Sequence, residues 1–557
     1  MIACSISIRW LAAMMALCLF GAQAWAATQV ADAPPTIISG GAYRIAGTVL
    51  SNADGHPLGG ARITIRDAKN QQKFQSVVTS DDGKFEFNGL PPGKYSQAGA
   101  KRGFITASYD QHDQFSTAIV TGAGLDTETL ILRLAPNAVI TGKVLDEVGE
   151  PVRHATVMLY YDDHSGGGDR IRQSRGTQTN DQGTYEITPL QPGTYFLSAD
   201  ASPWYAVYPN LQPGESESQG QVNNVDRSLD VAYPVTFYAD VTDADSATPI
   251  PIRGGDHLQV DIHLNPVPAL RLLFHMPDNG NNGFIVPQLQ QPAFDGSTSV
   301  QHSGAREVSP GLVEITGVPA GRYNVRIPSG ENWQQLNGVD FSKDGEQIDT
   351  SNAEALGRVK VSVQVTGEAT LPRLAVGLRS GNRMRTELQI VDPKGETDFW
   401  QLTPGSYEIV VRGSAMRYSI AHMVAEGGQV SGHTLTVAAG SSASVSLTLV
   451  GGNVEVEGTV QKAGKGFSGA MVVLVPKDPE MNRDLFRRDQ SDLDGTFSLH
   501  GVVPGAYTLL AIENGWDLDW SQPGIIAAYL KHGRKIQVSS QPGRSMNIVD
   551  PIELQSK

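Results

Sequence analysis

Few residues in this chain have the types and spacing that catalysis needs. None of the twelve histidines has a glutamate three residues on, and no His-Glu-x-x-His occurs, so a zinc-hydrolase ligand set is missing. Gly466-Phe467-Ser468-Gly469 stops short of a nucleophile elbow because Ala470 follows. Gly89 to Lys94 is too short for a phosphate loop, and Tyr95 stands where a magnesium-binding hydroxyl belongs. His257, Asp261 and His263 alternate with Leu258, Val260, Ile262 and Leu264. On a strand the two histidines stand ~20 Å apart, too far to share an ion, so the row reads as a solvated strand face. Asp492 and Asp494 lack the rest of a calcium loop, since Gln490 fills its first place; a hairpin turn is expected there. No catalytic residue, metal or cofactor is assigned.

What remains is aromatic. Phe104, Trp204 and Trp516 each fall nine residues after a Pro-Gly-x-Tyr tyrosine, and Trp333 falls ten after the related tyrosine of Ala-Gly-Arg-Tyr. Trp520 follows Trp516, and Tyr205 and Tyr208 extend the cluster at Trp204. The surrounding loops are polar, as in Ser202-Pro203-Trp204-Tyr205 and Glu513-Asn514-Gly515-Trp516-Asp517. Exposed indoles beside acid and amide groups suit sugars, which stack C–H faces on the rings and bond their hydroxyls to polar neighbours. The competing reading is a buried plug at the end of each unit. Candidate binding residues are therefore Phe104, Trp204, Tyr205, Trp333, Trp516 and Trp520.

The elements that position them repeat. Five segments share a frame whose two glycines stand ten residues apart: Gly83–Gly93, Gly183–Gly193, Gly311–Gly321, Gly395–Gly405 and Gly495–Gly505, each with a tyrosine two residues later (Tyr95, Tyr195, Tyr323, Tyr407, Tyr507). The first glycine follows polar residues and supplies the φ > 0 of a tight turn. Alternating Phe85/Phe87, Tyr185/Ile187 and Phe497/Leu499 then mark one strand. A second turn follows, and the tyrosine opens the next strand. It resembles the corner tyrosine of Greek-key sandwiches, whose hydroxyl bonds back to nearby backbone.

Upstream, Gly47-Thr48-Val49, Gly142-Lys143-Val144 and Gly458-Thr459-Val460 open three copies; the third and fourth keep only remnants such as Val361-Ser362-Val363. Alternating Leu130/Leu132/Leu134, Val260/Ile262/Leu264 and Val445/Leu447/Leu449 close units, while short helices are expected near Glu480–Arg488 and Ile525–Lys531. The fold class is all-β: a tandem array of five Greek-key, immunoglobulin-like β-sandwiches. The expected boundaries are 41–136, 137–268, 269–356, 357–452 and 453–557. The second unit carries loop insertions at Asp162–Asp169 and Gly214–Asp226.

Residues 1–26 read as a signal peptide, with Arg9, the apolar run Leu11–Phe20 and a cleavage pattern at Ala24-Trp25-Ala26; residues 27–40 read as a leader. A lipidated Cys18 competes, against Leu17 where a small residue is wanted. Both cysteines, Cys4 and Cys18, lie in the signal, so cores must supply the stability that disulfides give other exported domains. With 43 basic against 58 acidic residues, the net charge of −15 disfavours nucleic acid and anionic membranes. No stretch is long enough for a transmembrane helix. With 60 Gly and 32 Pro in 557 residues, turns must be frequent.

Gly-x-Val, Gly-x-Pro (Gly55-His56-Pro57, Gly149-Glu150-Pro151), Ala-x-Val/Ile, Asp-x-x-Gly-x-Phe and Pro-Gly-x-Tyr, in that order, resemble carboxypeptidase regulatory-like domains. Copies one, two and five carry nearly the whole pattern. The resemblance implies transthyretin-like sandwiches grouped with carbohydrate-binding-like folds, and it does not imply peptidase activity. A weaker resemblance reaches the B repeats of Gram-positive adhesins, which weld Lys to Asn or Asp with help from a glutamate. Gly99, Ala199, Ile327, Val411 and Ala511 occupy that glutamate's place, so no weld is expected. The chain reads as a non-catalytic exported binding protein, periplasmic, outer-surface or extracellular. Its partner is polysaccharide or an envelope protein, and the alternative is a structural spacer or assembly part.

Overall fold

The computed structural model describes residues 38–557 except 165–170, 208–226, 277–285, 295, 300–303, 330–331, 369, 381–382, 385, 387, 414–416, 453, 481 and 540–544. The signal peptide, most of the leader, Tyr208 and most of both loop insertions lie outside the described residues.

Among these residues the strands form ten sheets of three to six strands, in consecutive pairs, plus a two-stranded ribbon of Val231–Ala232 with Val267–Pro268. One plan recurs in all five pairs. An opening strand (Tyr43–Ser51, Ala138–Leu145, Leu270–His275, Gly357–Val365, Val454–Lys462) lies antiparallel to a seven-residue strand that begins after the frame's first glycine. Its other neighbour is a parallel closing strand, such as Leu130–Leu134 or Ser442–Gly452. The second sheet is built on the strand that starts at the second glycine: Gly93–Ala100, Gly193–Asp200, Gly321–Ser329, Gly405–Gly413 and Gly505–Ile512. Sheet faces sheet, and the alternating residues of both fill the space between them.

The frame works as its residue types require. The first glycine is left-handed in every copy, from φ +67° at Gly183 to +89° at Gly395. All five tyrosines are buried, and each hydroxyl donates to the carbonyl four residues back: Pro91, Gln191, Pro319, Thr403 and Val503, at 2.5–2.9 Å. The glycine of Gly-x-Val has a different cause. Gly47, Gly142 and Gly458 lie opposite Phe85, Tyr185 and Phe497 in register, and a Cβ on Gly458 would stand 2.6 Å from the Phe497 ring. Where the frame carries Val313 or Thr397 in place of the aromatic, the partner is Phe274 or Val361. At Gly47 and Gly142 a Cβ would meet the closing strand first, at the Leu130 and Val260 carbonyls, so the glycine admits both the facing ring and the closing strand.

The helix expected near Ile525–Lys531 is present as Pro523–Leu530. The one expected over 480–488 is not. That stretch holds a 3-10 turn, Arg483–Leu485, and an edge strand, Arg487–Gln490, paired with Met471–Pro476. Ladder hydrogen bonds and the burial of Phe486 and Arg487 there outweigh local helix propensity.

Neighbouring pairs are packed together. Phe294 of the third lies 4.9 Å from the rings of Tyr160 and Phe196 of the second, so one apolar cluster spans both. The first and fifth pairs also meet. Leu493 packs on the first core, its N–H bonded to the Ala118 carbonyl at 3.0 Å, and Lys94 pairs with Asp492 at 2.5 Å.

Candidate binding site

The six aromatic candidates go to different places. Phe104 is half-buried against the first core and bridges to Pro136. Trp333 is half-buried in the strand Asn332–Phe341, and its carbonyl accepts from the Leu356 N–H. Trp516 stacks on His112 of the first pair at 5.0 Å and 9°, and its indole N–H donates to the Gly469 carbonyl. Trp520 packs on Phe486, with the Arg488 guanidinium 4.4 Å above its ring. Trp204 alone among the six points into solvent, 82% exposed, with Tyr205 edge-on at 5.8 Å.

A built arrangement stands behind Trp204. The strand Gly193–Asp200 ends three residues before Trp204-Tyr205, which themselves form the turn that follows. Across from them lies the tight turn after Ala138–Leu145, held by Asp146, whose Oδ1 accepts from the N–H groups of Val148 and Glu150 at 3.1 and 2.7 Å. Gly149 takes φ +84° in that turn. This fixes Glu147, which accepts from the Tyr205 hydroxyl on one oxygen and from the Tyr233 hydroxyl, at 2.9 Å, on the other. Burial would raise the Glu147 carboxyl, but the bonds from Tyr205, backbone and Tyr233 outweigh it and hold the group below the usual carboxylate range. Burial, then the bond to Glu147, pushes the Tyr205 phenol up to about 12, and Tyr233 is raised for the same causes. Glu147 therefore stays an anion that orients two phenols, and Tyr205 in turn braces the Trp204 indole.

Sequence reasoning missed Glu147 and Tyr233; the Gly-x-Pro turn two residues beyond Glu147 was the available signal. It also missed Trp400, 55% exposed, whose ring is capped by Arg358 at 3.4 Å. Of the histidine row, His263 pairs with Asp240 at 3.1 Å and Asp261 accepts from the Lys143 N–H. Among the described residues no group of three His, Cys, Asp or Glu side chains could hold a metal ion, and no helix is long and apolar enough to cross a membrane.

Paired sheets on one repeated plan, closed by a corner tyrosine, define a multi-unit β-sandwich protein. Residues 44–128 and 139–223 match the carboxypeptidase regulatory-like domain, and the chain carries two such domains in tandem. No curated protein matches the chain. Among solved structures, the TIE protein of Bacillus anthracis is similar at 11% identity, covering 73% of this chain and 74% of its own, with a TM-score of 0.18. The minor pilin of Streptococcus agalactiae is similar at 14% identity over 41% of this chain and 97% of its own, with a TM-score of 0.21. A streptococcal ancillary pilin is similar at 13% over 55% and 98%, with a TM-score of 0.20.

Proposed function

We propose that this is an exported, non-catalytic binding protein of five sandwich units, bounded as the repeat suggests, whose second unit binds carbohydrate. The observation that carries the reading is the 82% exposure of Trp204 beside Tyr205 and the fixed Glu147 carboxylate. An indole left in water offers a flat apolar face to a sugar ring, and the Tyr205 oxygen and the Glu147 carboxylate keep lone pairs that can accept from its hydroxyls. Trp516 and Trp520 are engaged within the molecule, and Phe104 and Trp333 are half-buried in other sheet pairs, so the proposal rests on Trp204 and Tyr205. Affinity gels containing soluble glycans should retard the wild-type chain. Trp204→Ala should abolish that retardation with the melting temperature unchanged. Absence of retardation by any glycan class would remove the reading. Export predicts a product beginning at Ala27 in the envelope fraction, which intact mass would identify.

A further inference from the structure

The seam between the first and fifth sheet pairs joins residues nearly four hundred positions apart, and its chemistry is specific. Lys94 Nζ contacts Asp492 at 2.5 Å and the Thr496 hydroxyl at 2.7 Å. The other Asp492 oxygen accepts from the Ala118 N–H at 3.0 Å. The Gln490 amide donates to the Asp110 carbonyl and the Thr117 hydroxyl, while its oxygen meets His112 at 3.2 Å. Arg488, its side chain only 4% exposed, pairs with Asp113 at 3.1 Å and lies over the rings of Phe115, Trp516 and Trp520. Trp516 completes the joint on His112.

The two faces are unlike. One is the 110–118 segment with Lys94; the other is the edge strand 487–490 with Asp492 and Trp516. Charges complement across it, Lys94 to Asp492 and Asp113 to Arg488. No covalent link crosses this joint, whereas each other neighbouring pair is joined by the chain itself. Interfaces of this polar kind, between units of one chain, resemble transient protein–protein contacts. Within one molecule the two faces meet at high effective concentration. Two unlike complementary faces on one chain also define a head-to-tail contact between copies.

We propose that this seam is a releasable clasp and that its partner, when released, is the complementary face of a second copy of this chain. Closed, it makes a compact monomer. Opened, domain one of one copy takes the fifth unit of the next.

Charge reversal separates the two arrangements. The full mature chain with Lys94→Glu, and separately with Asp492→Lys, sets like charges against each other in its own seam, and each should sediment as an open monomer with a larger hydrodynamic radius. Mixed one to one, the two variants can pair reciprocally, one joint carrying the reversed pair and the other the native pair. The sedimenting mass should double. The double variant in one chain should return to a compact monomer. If Asp492→Lys loses its cooperative melt, Asp113→Arg and Arg488→Asp are used in the same way. A mixture that stays monomeric overturns the exchange between copies. Single variants as compact as wild type overturn the clasp.

Discussion

At the scale of single residues, the chain spends its tyrosines on structure. Each corner hydroxyl bonds to a backbone oxygen four residues back, and the ring fills the core between the two sheets. Tyr507→Ala removes a buried ring and should cost ~3–5 kcal/mol in denaturant unfolding. Tyr507→Phe keeps the ring and leaves the Val503 carbonyl without its donor, so ~1–3 kcal/mol is expected. Equal losses for the two variants would mean that the hydroxyl has no structural part. Two carboxyls behave oppositely to Glu147. Burial pushes Asp200 and Asp489 up to about 6. An acid whose folded-state pKa lies above its unfolded value takes up a proton on folding. Its contribution is therefore best at low pH and declines as pH rises from about 4 through about 6. Asp200→Asn should raise stability at pH 7 by about 3 kcal/mol and change it little at pH 4. A gain at pH 4 of the same size would point to packing instead of charge.

At the scale of elements, the repeat was legible because each residue type in the frame answers a local demand. The left-handed glycine, the alternating strand and the corner tyrosine need no distant partner to be recognised, and all five copies place them alike. The opening glycine was visible as a pattern, yet its reason lies across the strand pair. The Gly458–Phe497 pair tests this most cleanly, because the nearest atoms to an added Cβ are side-chain atoms of Phe497 and Ile548 and not backbone. Gly458→Ala should destabilise by ~1–3 kcal/mol through overpacking. Phe497→Leu added to it should recover part of that loss, which a double-mutant cycle would measure as a coupling. Additive losses would separate the glycine from the ring. The 480–488 segment shows the converse. Its residues favour a helix locally, and only the facing edge of Met471–Pro476 makes Arg487–Gln490 a strand.

At the scale of the whole molecule, the seam was illegible, since nothing in the spacing of Lys94, Asp113, Arg488 and Asp492 links positions 374 or more residues apart in the hydrogen-bonded joint. The surroundings of the recurrent aromatics were illegible for the same reason. Trp516 sits in a polar loop that meets the first sheet pair and Trp520 folds back on Phe486 and Arg488 of its own, whereas Trp204 sits in a loop that faces water. Closure matters for the choice between a spacer and a binding protein. A spacer works by reach, and an array whose ends are joined has little. Arg488 is the anchor to test, because its guanidinium touches three aromatic rings and one carboxylate while its side chain is almost wholly covered. Buried arginines and tryptophans are the residues whose truncation most often separates an interface. Arg488→Ala should leave each sheet pair folded yet free the first from the fifth, so small-angle scattering should give a larger radius of gyration. Thermal unfolding should broaden or split, because units no longer held at both ends melt more independently. An unchanged radius with a single unshifted transition would show that the seam adds nothing to closure.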